Sequence, residues 1–141
     1  MNLKELESIS SELGILLNDK SYFFTTAESC TGGLLGAACT ELSGSSRWYA
    51  GGCVTYTNEL KIKLIGVSEE TLQTQGAVSL EVALEMCQGV AKACDAQVSI
   101  STTGIAGPSG GTETTSGDFK IHTFNSSGNF EDFTISDWKK D

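Results

Sequence analysis

Two adjacent side chains that can act as nucleophiles, Ser29 and Cys30, lie in a short polar turn between a strand pattern and a helix pattern. The turn runs from Glu28 to Gly33, and an apolar helix pattern begins at Leu34. Such a turn directs side chains out of the sheet edge and presents free backbone N–H groups. It is therefore the first candidate for an active site and suits a nucleophile or an anionic ligand.

A serine becomes a useful nucleophile only when a neighbouring base takes its proton. His122 falls in a predicted strand without a partner pattern around it, so a Ser-His-Asp triad is not expected. Lys61 follows the end of another strand pattern and is the candidate base, because burial can lower the pKa of a lysine. Two alternatives stay open on spacing alone: Ser29 as the N-cap of the next helix, and Lys61 as a solvated surface charge.

Tyr56 and Asn58 come just before Lys61 and are candidates to orient its side chain. Each also has an ordinary structural role, Tyr56 as a half-buried strand residue and Asn58 as a helix cap. Cys30 is the alternative nucleophile. Adjacent residues on a strand-like turn point to opposite sides, so only one of the pair would serve, and we expect Ser29 to be exposed and Cys30 to be packed.

A glycine-rich segment follows the third strand pattern, beginning at Thr103 and containing Gly104, Gly107, Gly110 and Gly111. Its spacing matches neither the phosphate loop of nucleoside triphosphatases nor the dinucleotide-binding fingerprint. Loops at the carboxyl ends of parallel strands can meet in one crevice, so this segment and the two described above are expected to converge if their strands run parallel. Taken alone, the segment fits ordinary turns equally well.

Strand patterns alternate with helix patterns along most of the chain. Helical periodicity that begins at Leu3 predicts a first helix that ends near Asn18. Further helices are predicted at 32–42, around Lys61, after Ser68, and from Ser79 to about Cys94. Strands are predicted at 22–27, at 48–57 with a bulge or close approach at Gly51 and Gly52, at 97–103, and in a closing hairpin at 118–124 and 129–135. The order predicts an α/β fold, a three-layer α/β/α sandwich with a mixed, mostly parallel sheet and a C-terminal hairpin.

Length and charge restrict the class of protein. The chain has 141 residues, so we expect one domain over residues 1–141. A net charge of −9 with a single arginine, Arg47, leaves no basic stripe and argues against nucleic acid as a partner. No apolar run approaches the roughly 20 residues of a membrane span, and the N-terminus lacks the layout of a secretion signal, so we expect a cytoplasmic protein without membrane binding.

The cysteine and histidine counts argue against covalent and metal cross-links. The five cysteines are odd in number and form no C-x-x-C pair, which is typical of reduced thiols used as small core residues. With one histidine and no clustered ligand spacing, a metal site is not expected.

Five motifs, in this order and spacing, resemble the CinA C-terminal domain family: Thr-Ala-Glu-Ser-Cys-Thr-Gly-Gly at 26–33, Gly-Ser-Ser at 44–46, Val-Thr-Tyr-Thr-Asn-Glu-Leu-Lys at 54–61, Gly-Ala-Val-Ser at 76–79 and Gly-Ile-Ala-Gly-Pro at 104–108. The resemblance covers residues 3–117. It implies an amidase that hydrolyses the carboxamide of nicotinamide mononucleotide to nicotinic acid mononucleotide and ammonia in pyridine-nucleotide salvage. No metal or organic cofactor is implied.

By matching position, the resemblance implies that Ser29 attacks the amide carbonyl, that Lys61 acts as its base and that Tyr56 assists in proton handling. It also implies that backbone N–H groups of Thr31, Gly32 and Gly33 stabilise the oxyanion. The expected substrate-binding residues are Glu28, Thr31, Gly32, Gly33, Asn58, Thr103, Gly104, Gly107, Gly110 and Gly111.

The end of the chain departs from the family pattern. Family members carry Lys-Pro-Val-Gly-Thr-Val where residues 114–119 read Thr-Thr-Ser-Gly-Asp-Phe, and Ser-Asp-Trp at 136–138 stands where a Gly-Asp-Arg segment belongs. The family's closing helix is expected to be absent. We therefore expect weaker binding of the substrate phosphate and an apolar face that another subunit covers in a homo-oligomer. One alternative is a weakened or inactive relative that binds a nucleotide or a protein, and another is a cysteine enzyme that uses Cys30.

Overall fold

A five-stranded sheet with helices on both faces forms the part of the chain that the computed structural model describes, residues 3–104, 112–116 and 119–124. The helices are α1 (Leu3–Lys20), α2 (Leu34–Thr40), α3 (Asn58–Ile65), α4 (Glu69–Gln75) and α5 (Leu80–Ala93), with a 3₁₀ turn at Ser45–Arg47. The strands are β1 (Phe24–Glu28), β2 (Tyr49–Val54), β3 (Val98–Gly104), β4 (Thr112–Ser116) and β5 (Phe119–Phe124).

The sheet has the strand order β2-β1-β3-β5-β4. Strand β1 runs parallel to both β2 and β3, β3 runs parallel to β5, and β4 is antiparallel to β5. The prediction of an α/β fold with a mixed, mostly parallel sheet is confirmed. Because β1, β2 and β3 share one direction, the segments that follow them leave the same edge of the sheet.

Alternation along β1 supplies a separate core on each face of the sheet. Ala27 packs with residues of α3, α4 and α5 in a buried cluster of Ala27, Ile65, Val67, Leu72, Val82, Met86 and Val90. On the opposite face Phe24 packs with Leu17 of α1, Cys39 of α2 and Trp48. The two clusters account for the predicted three layers.

Three helices on one face begin at a hydroxyl cap. Ser68 and Ser79 accept hydrogen bonds from the backbone N–H groups three residues ahead and cap α4 and α5, as their sequence positions predict. The cap of α3 is Thr57, whose hydroxyl accepts from the Leu60 N–H, so the prediction of Asn58 as the cap is wrong by one residue. Asn58 is instead the first residue of α3.

The two glycines in β2 combine a register shift with a close approach. The pairing of β1 with β2 shifts between Phe24 and Thr25, next to Gly51. A Cβ atom at Gly52 would lie 2.5 Å from the backbone oxygen of Thr26. Only glycine lets the two strands come this close, which agrees with the expectation from the sequence.

An antiparallel pair follows β3, but its strands differ in part from the predicted ones. Strand β5 (Phe119–Phe124) matches the predicted strand at 118–124, whereas its antiparallel partner is the preceding β4 (Thr112–Ser116). The sequence Thr-Glu-Thr-Thr-Ser of β4 has no apolar alternation, which is why sequence analysis missed it. The predicted strand at 129–135 and the expectation about a closing helix lie outside the described residues.

Candidate active site

Ser29 and Lys61 meet in the interior at the carboxyl edge of the sheet. Ser29 directly follows β1 and is 5% exposed, while Lys61 lies in the first turns of α3 and is 1% exposed. The Nζ atom of Lys61 lies 3.2 Å from the Oγ atom of Ser29. Lysine is among the residues least often buried, so this placement excludes the alternative of Lys61 as a solvated surface charge.

Neutral carbonyl groups surround the amine of Lys61. Its Nζ donates hydrogen bonds to the backbone oxygens of Thr55, at 2.9 Å, and Tyr56, at 3.2 Å. Within the described part of the chain, no carboxylate forms an ion pair with this amine. Burial lowers the pKa of Lys61 below its ordinary value, and the nearby Cys30 thiol opposes the shift only in part. A lowered pKa favours the neutral form of the amine, which is the form that can accept a proton.

The backbone of Ser29 is fixed to the neighbouring strand rather than to the helix that follows. Its N–H donates to the backbone oxygen of Thr102 in β3, at 3.0 Å. The N-cap of α2 is Gly33, which has a φ of 107° and makes no side-chain capping bond. The alternative of Ser29 as the helix cap is therefore wrong, and its hydroxyl is free for Lys61.

Glu28 occupies the opposite face of the chain from Ser29. It is 1% exposed, and its Oε1 atom accepts hydrogen bonds from the Thr31 hydroxyl, at 2.8 Å, and the Leu35 N–H, at 2.9 Å. Its Oε2 atom accepts from the Gly36 N–H, at 2.9 Å. Both carboxylate oxygens are thus engaged by the protein, a geometry that favours a structural role over the expected contact with substrate.

The turn that follows Ser29 holds the expected oxyanion donors. The N–H of Gly32 donates to the backbone oxygen of Ser29, at 3.1 Å, so this group serves the turn itself. Gly32 and Gly33 both have positive φ, which only glycine adopts readily. The N–H groups of Thr31 and Gly33 therefore remain the candidates from the expected set.

Cys30 and Tyr56 border the Ser29–Lys61 pair. Cys30 is half-buried and more exposed than Ser29, which directly follows the buried strand β1, so the expectation of an exposed Ser29 and a packed Cys30 is wrong. Burial raises the pKa of the Cys30 thiol, although backbone N–H groups and Lys61 oppose the shift. A raised pKa reduces the thiolate fraction and disfavours Cys30 as the nucleophile. Tyr56 contacts Lys61 through its backbone oxygen, whereas its side chain is 69% exposed. Asn58 is exposed at the start of α3.

The remaining expected binding residues follow β3. Thr103 is buried, and its hydroxyl donates to the backbone oxygen of Ala77, at 2.7 Å, which joins β3 to the segment before α5. Gly104 ends β3. Gly107, Gly110 and Gly111 lie outside the described residues, so their part in binding stays a prediction.

Sequence analysis missed Thr55, which directly follows β2, and Thr102 of β3; the two residues flank Ser29. Thr102 accepts the Ser29 N–H, and Thr55 supplies a backbone oxygen to Lys61. The signal lay near the strand ends, because polar residues close to the carboxyl ends of neighbouring parallel strands lie side by side. Placing these residues beside Ser29 requires the register of the strands, which a single sequence does not give.

The described helices and charged clusters contain neither a membrane span nor a metal site. In residues 3–104 and the described strands after them, no helix is both long and apolar enough to cross a membrane. In the same residues no group of three or more His, Cys, Asp or Glu side chains is placed to hold a metal ion.

Several curated proteins are similar to this chain. One from Enterobacter agglomerans, named nicotinamide-nucleotide amidohydrolase PncC, is 50% identical over 111 residues, which cover 79% of this chain and 68% of the relative. The protein of the same name from Escherichia coli is 48% identical over 113 residues, with 80% and 68% covered. A CinA-like protein from Chloroherpeton thalassium is 50% identical over 105 residues, which are 74% of this chain but only 26% of that longer protein.

Solved structures share the fold. The competence damage-inducible protein A from Klebsiella pneumoniae superposes with a TM-score of 0.72 at 36% identity, over 75% of this chain and 66% of that one. The competence/damage inducible protein CihA from Agrobacterium tumefaciens gives 0.68 at 41% identity, over 76% and 65%. The sequence-family model of the CinA C-terminal domain matches residues 6–130 of this chain. On this match and these relatives, the chain belongs to the CinA C-terminal domain family.

Proposed function

We propose that the chain is an amidase that hydrolyses the carboxamide of nicotinamide mononucleotide, releasing nicotinic acid mononucleotide and ammonia. The observation that carries the proposal is the 3.2 Å contact between the buried amine of Lys61 and the hydroxyl of Ser29. The relatives named nicotinamide-nucleotide amidohydrolase support the substrate. The reaction would belong to pyridine-nucleotide salvage.

The acceptors around Lys61 suit a neutral amine that takes a proton from serine. A neutral amine has two N–H bonds and one lone pair, and the backbone oxygens of Thr55 and Tyr56 accept the two N–H bonds. The lone pair then faces the hydroxyl of Ser29. As Oγ attacks the amide carbon, its proton passes to Nζ, and the resulting ammonium has an oxygen acceptor for each of its three N–H bonds.

The attack forms a tetrahedral intermediate, whose oxyanion the N–H groups of Thr31 and Gly33 would stabilise. Lys61 then returns its proton to the amide nitrogen, and the C–N bond breaks. Ammonia is released, and the acyl group remains bound to Ser29 as an ester. In the second half, Lys61 takes a proton from water, whose oxygen attacks the ester carbon. Ser29 regains its proton as the C–O bond breaks and nicotinic acid mononucleotide departs.

The test measures ammonia and nicotinic acid mononucleotide after incubation of the purified chain with nicotinamide mononucleotide. We expect equal amounts of both products from the wild-type chain and no release above background from Ser29→Ala. Calorimetric titration of Ser29→Ala with the substrate measures binding separately from turnover. Equal release by the wild type and Ser29→Ala would contradict the mechanism. Binding without any release by the wild type would favour the alternative of a nucleotide-binding relative that has lost catalysis.

A further inference from the structure

The carboxylate of Glu28 performs the capping that the N-terminus of α2 lacks. Gly33, at the N-cap position, has no side chain to accept the unpaired N–H groups of the first turn. Glu28 accepts two of them, from Leu35 and Gly36, across the turn that carries Ser29. A carboxylate at a helix N-terminus also interacts favourably with the helix dipole. The carboxylate of Glu28 thus connects the start of the Ser29 turn to the first turn of α2.

Glu28 and Ser29 are adjacent, and their side chains leave the chain on opposite faces. Glu28 reaches α2, whereas Ser29 reaches Lys61 on α3. The backbone between them is held on both sides: the Glu28 oxygen accepts from the Thr55 N–H, at 2.7 Å, and the Ser29 N–H donates to the Thr102 oxygen, at 3.0 Å. A restraint on the Glu28 side chain thus also restrains the direction in which Ser29 points.

A chain of hydroxyl groups links the carboxylate back to Ser29. The Thr31 hydroxyl lies 2.8 Å from Glu28 Oε1 and 2.7 Å from the Thr102 hydroxyl, which lies 3.4 Å from the Ser29 nitrogen. The Thr31 hydroxyl has a single proton and donates it to Glu28 Oε1. The Thr102 proton must then point to Thr31, which leaves the Thr102 oxygen to accept from the Ser29 N–H. Glu28 therefore sets the direction of the hydrogen bonds that run from Thr102 through Thr31.

We propose that Glu28 is a positioning residue for catalysis, which fixes the Ser29 turn through α2 and through the Thr31–Thr102 hydroxyl chain. The proposal rests on the amidase function proposed above. It assigns Glu28 a role other than contact with the substrate. A glutamine at this position offers one acceptor oxygen and an NH₂ group where three donors converge, so it cannot reproduce the arrangement.

The experiment compares Glu28→Gln with a matched control, Glu85→Gln. Glu85 makes the same kind of bridge at the start of α4, where its carboxylate accepts from the Ser68 N–H, at 2.7 Å, and the Thr71 hydroxyl, at 2.6 Å. Both variants should lower the melting temperature. At a temperature where both are folded, Glu28→Gln should lower kcat for ammonia release roughly 10- to 100-fold with KM little changed, while Glu85→Gln keeps the wild-type kcat.

A second pair of variants covers the case in which Glu28→Gln does not fold. Thr31→Val keeps the Glu28 carboxylate but breaks the hydroxyl chain, so it should lower kcat. Thr31→Ser retains the hydroxyl, so its kcat should stay close to the wild-type value. Equal kcat in folded Glu28→Gln and Glu85→Gln would overturn the proposal. So would equal kcat in Thr31→Val and Thr31→Ser.

Covalent labelling of Ser29 by a fluorophosphonate separates this proposal from the amidase function. Absence of ammonia release by the wild type would contradict only the amidase. In that case slower labelling of Glu28→Gln than of Glu85→Gln would still support the positioning role. Equal labelling rates in the two variants would overturn it.

Discussion

The side-chain nitrogen of Lys61 lies 3.2 Å from the hydroxyl oxygen of Ser29, although 32 residues separate the two in sequence. Strand β1 and helix α3 bring them together, and the backbone oxygens of Thr55 and Tyr56 hold the amine in place. Within the described part of the chain, no carboxylate forms an ion pair with the Lys61 amine, and burial lowers the pKa of Lys61 below its ordinary value.

Loss of the Ser29 hydroxyl should remove activity, while loss of the neighbouring thiol should not. We expect Ser29→Ala to lower kcat at least about 1,000-fold, because removal of a nucleophile abolishes the covalent route. Cys30→Ala, the adjacent control, should keep kcat within about threefold, and iodoacetamide should not abolish turnover of the wild type. Steady-state ammonia release measures both. An inactive Cys30→Ala that still folds would instead support the cysteine mechanism.

The activity should increase with pH as Lys61 loses its proton. Burial lowers the pKa of Lys61 from its ordinary value of 10.5, so the neutral base forms at lower pH than for an exposed lysine. Below this lowered pKa the amine is protonated, and kcat/KM should fall about tenfold for each pH unit. The measurement is the pH profile of kcat/KM.

Lys61→Arg provides the matched control for this profile. It retains the positive charge but cannot deprotonate, so it should be inactive across the whole pH range. A flat wild-type profile, or an active Lys61→Arg, would contradict Lys61 as the base.

Two buried threonines, Thr25 in β1 and Thr55 directly after β2, should respond oppositely to substitution by valine. Thr55 is 0% exposed, and its hydroxyl has no hydrogen-bond partner within the described residues. An unsatisfied buried hydroxyl costs roughly 1–3 kcal/mol, so Thr55→Val should raise the free energy of unfolding by about 1 kcal/mol. Thr25 is equally buried but donates to the Gly51 oxygen, at 2.7 Å, so Thr25→Val should lower it by about 1 kcal/mol. Urea denaturation measures both, and equal losses would contradict the expectation.

Alanine at Gly89 should destabilise the protein, the reverse of its usual effect in a helix. Glycine within a helix ordinarily costs roughly 0.5–1 kcal/mol relative to alanine. In α5, however, a Cβ atom at Gly89 would lie 2.8 Å from the carbonyl carbon of Ile65, so α3 and α5 would have to separate. We expect a loss of about 1–3 kcal/mol for Gly89→Ala. The exposed neighbour Gln88→Ala should be close to neutral, and a more stable Gly89→Ala would refute the argument.

The local elements were largely predictable from the sequence. The hydroxyl caps at Ser68 and Ser79 and the first three strands follow from side-chain chemistry within a few residues. The errors were also local in origin. Thr57 and Asn58 are both good caps and adjacent, and β4 is a polar strand whose pairing with β5 gives no apolar pattern.

Local residue chemistry was enough to identify the candidate residues, the α/β alternation and the resemblance to a known family. Spacing alone left Ser29 and Lys61 with ordinary structural alternatives. The fold excludes those alternatives, because it places the amine of Lys61 in the interior against the Ser29 hydroxyl, and because Glu28 caps α2. These facts depend on strand register and burial. Both arise from contacts between residues far apart in the chain, so the residues next to a position in the sequence do not determine them.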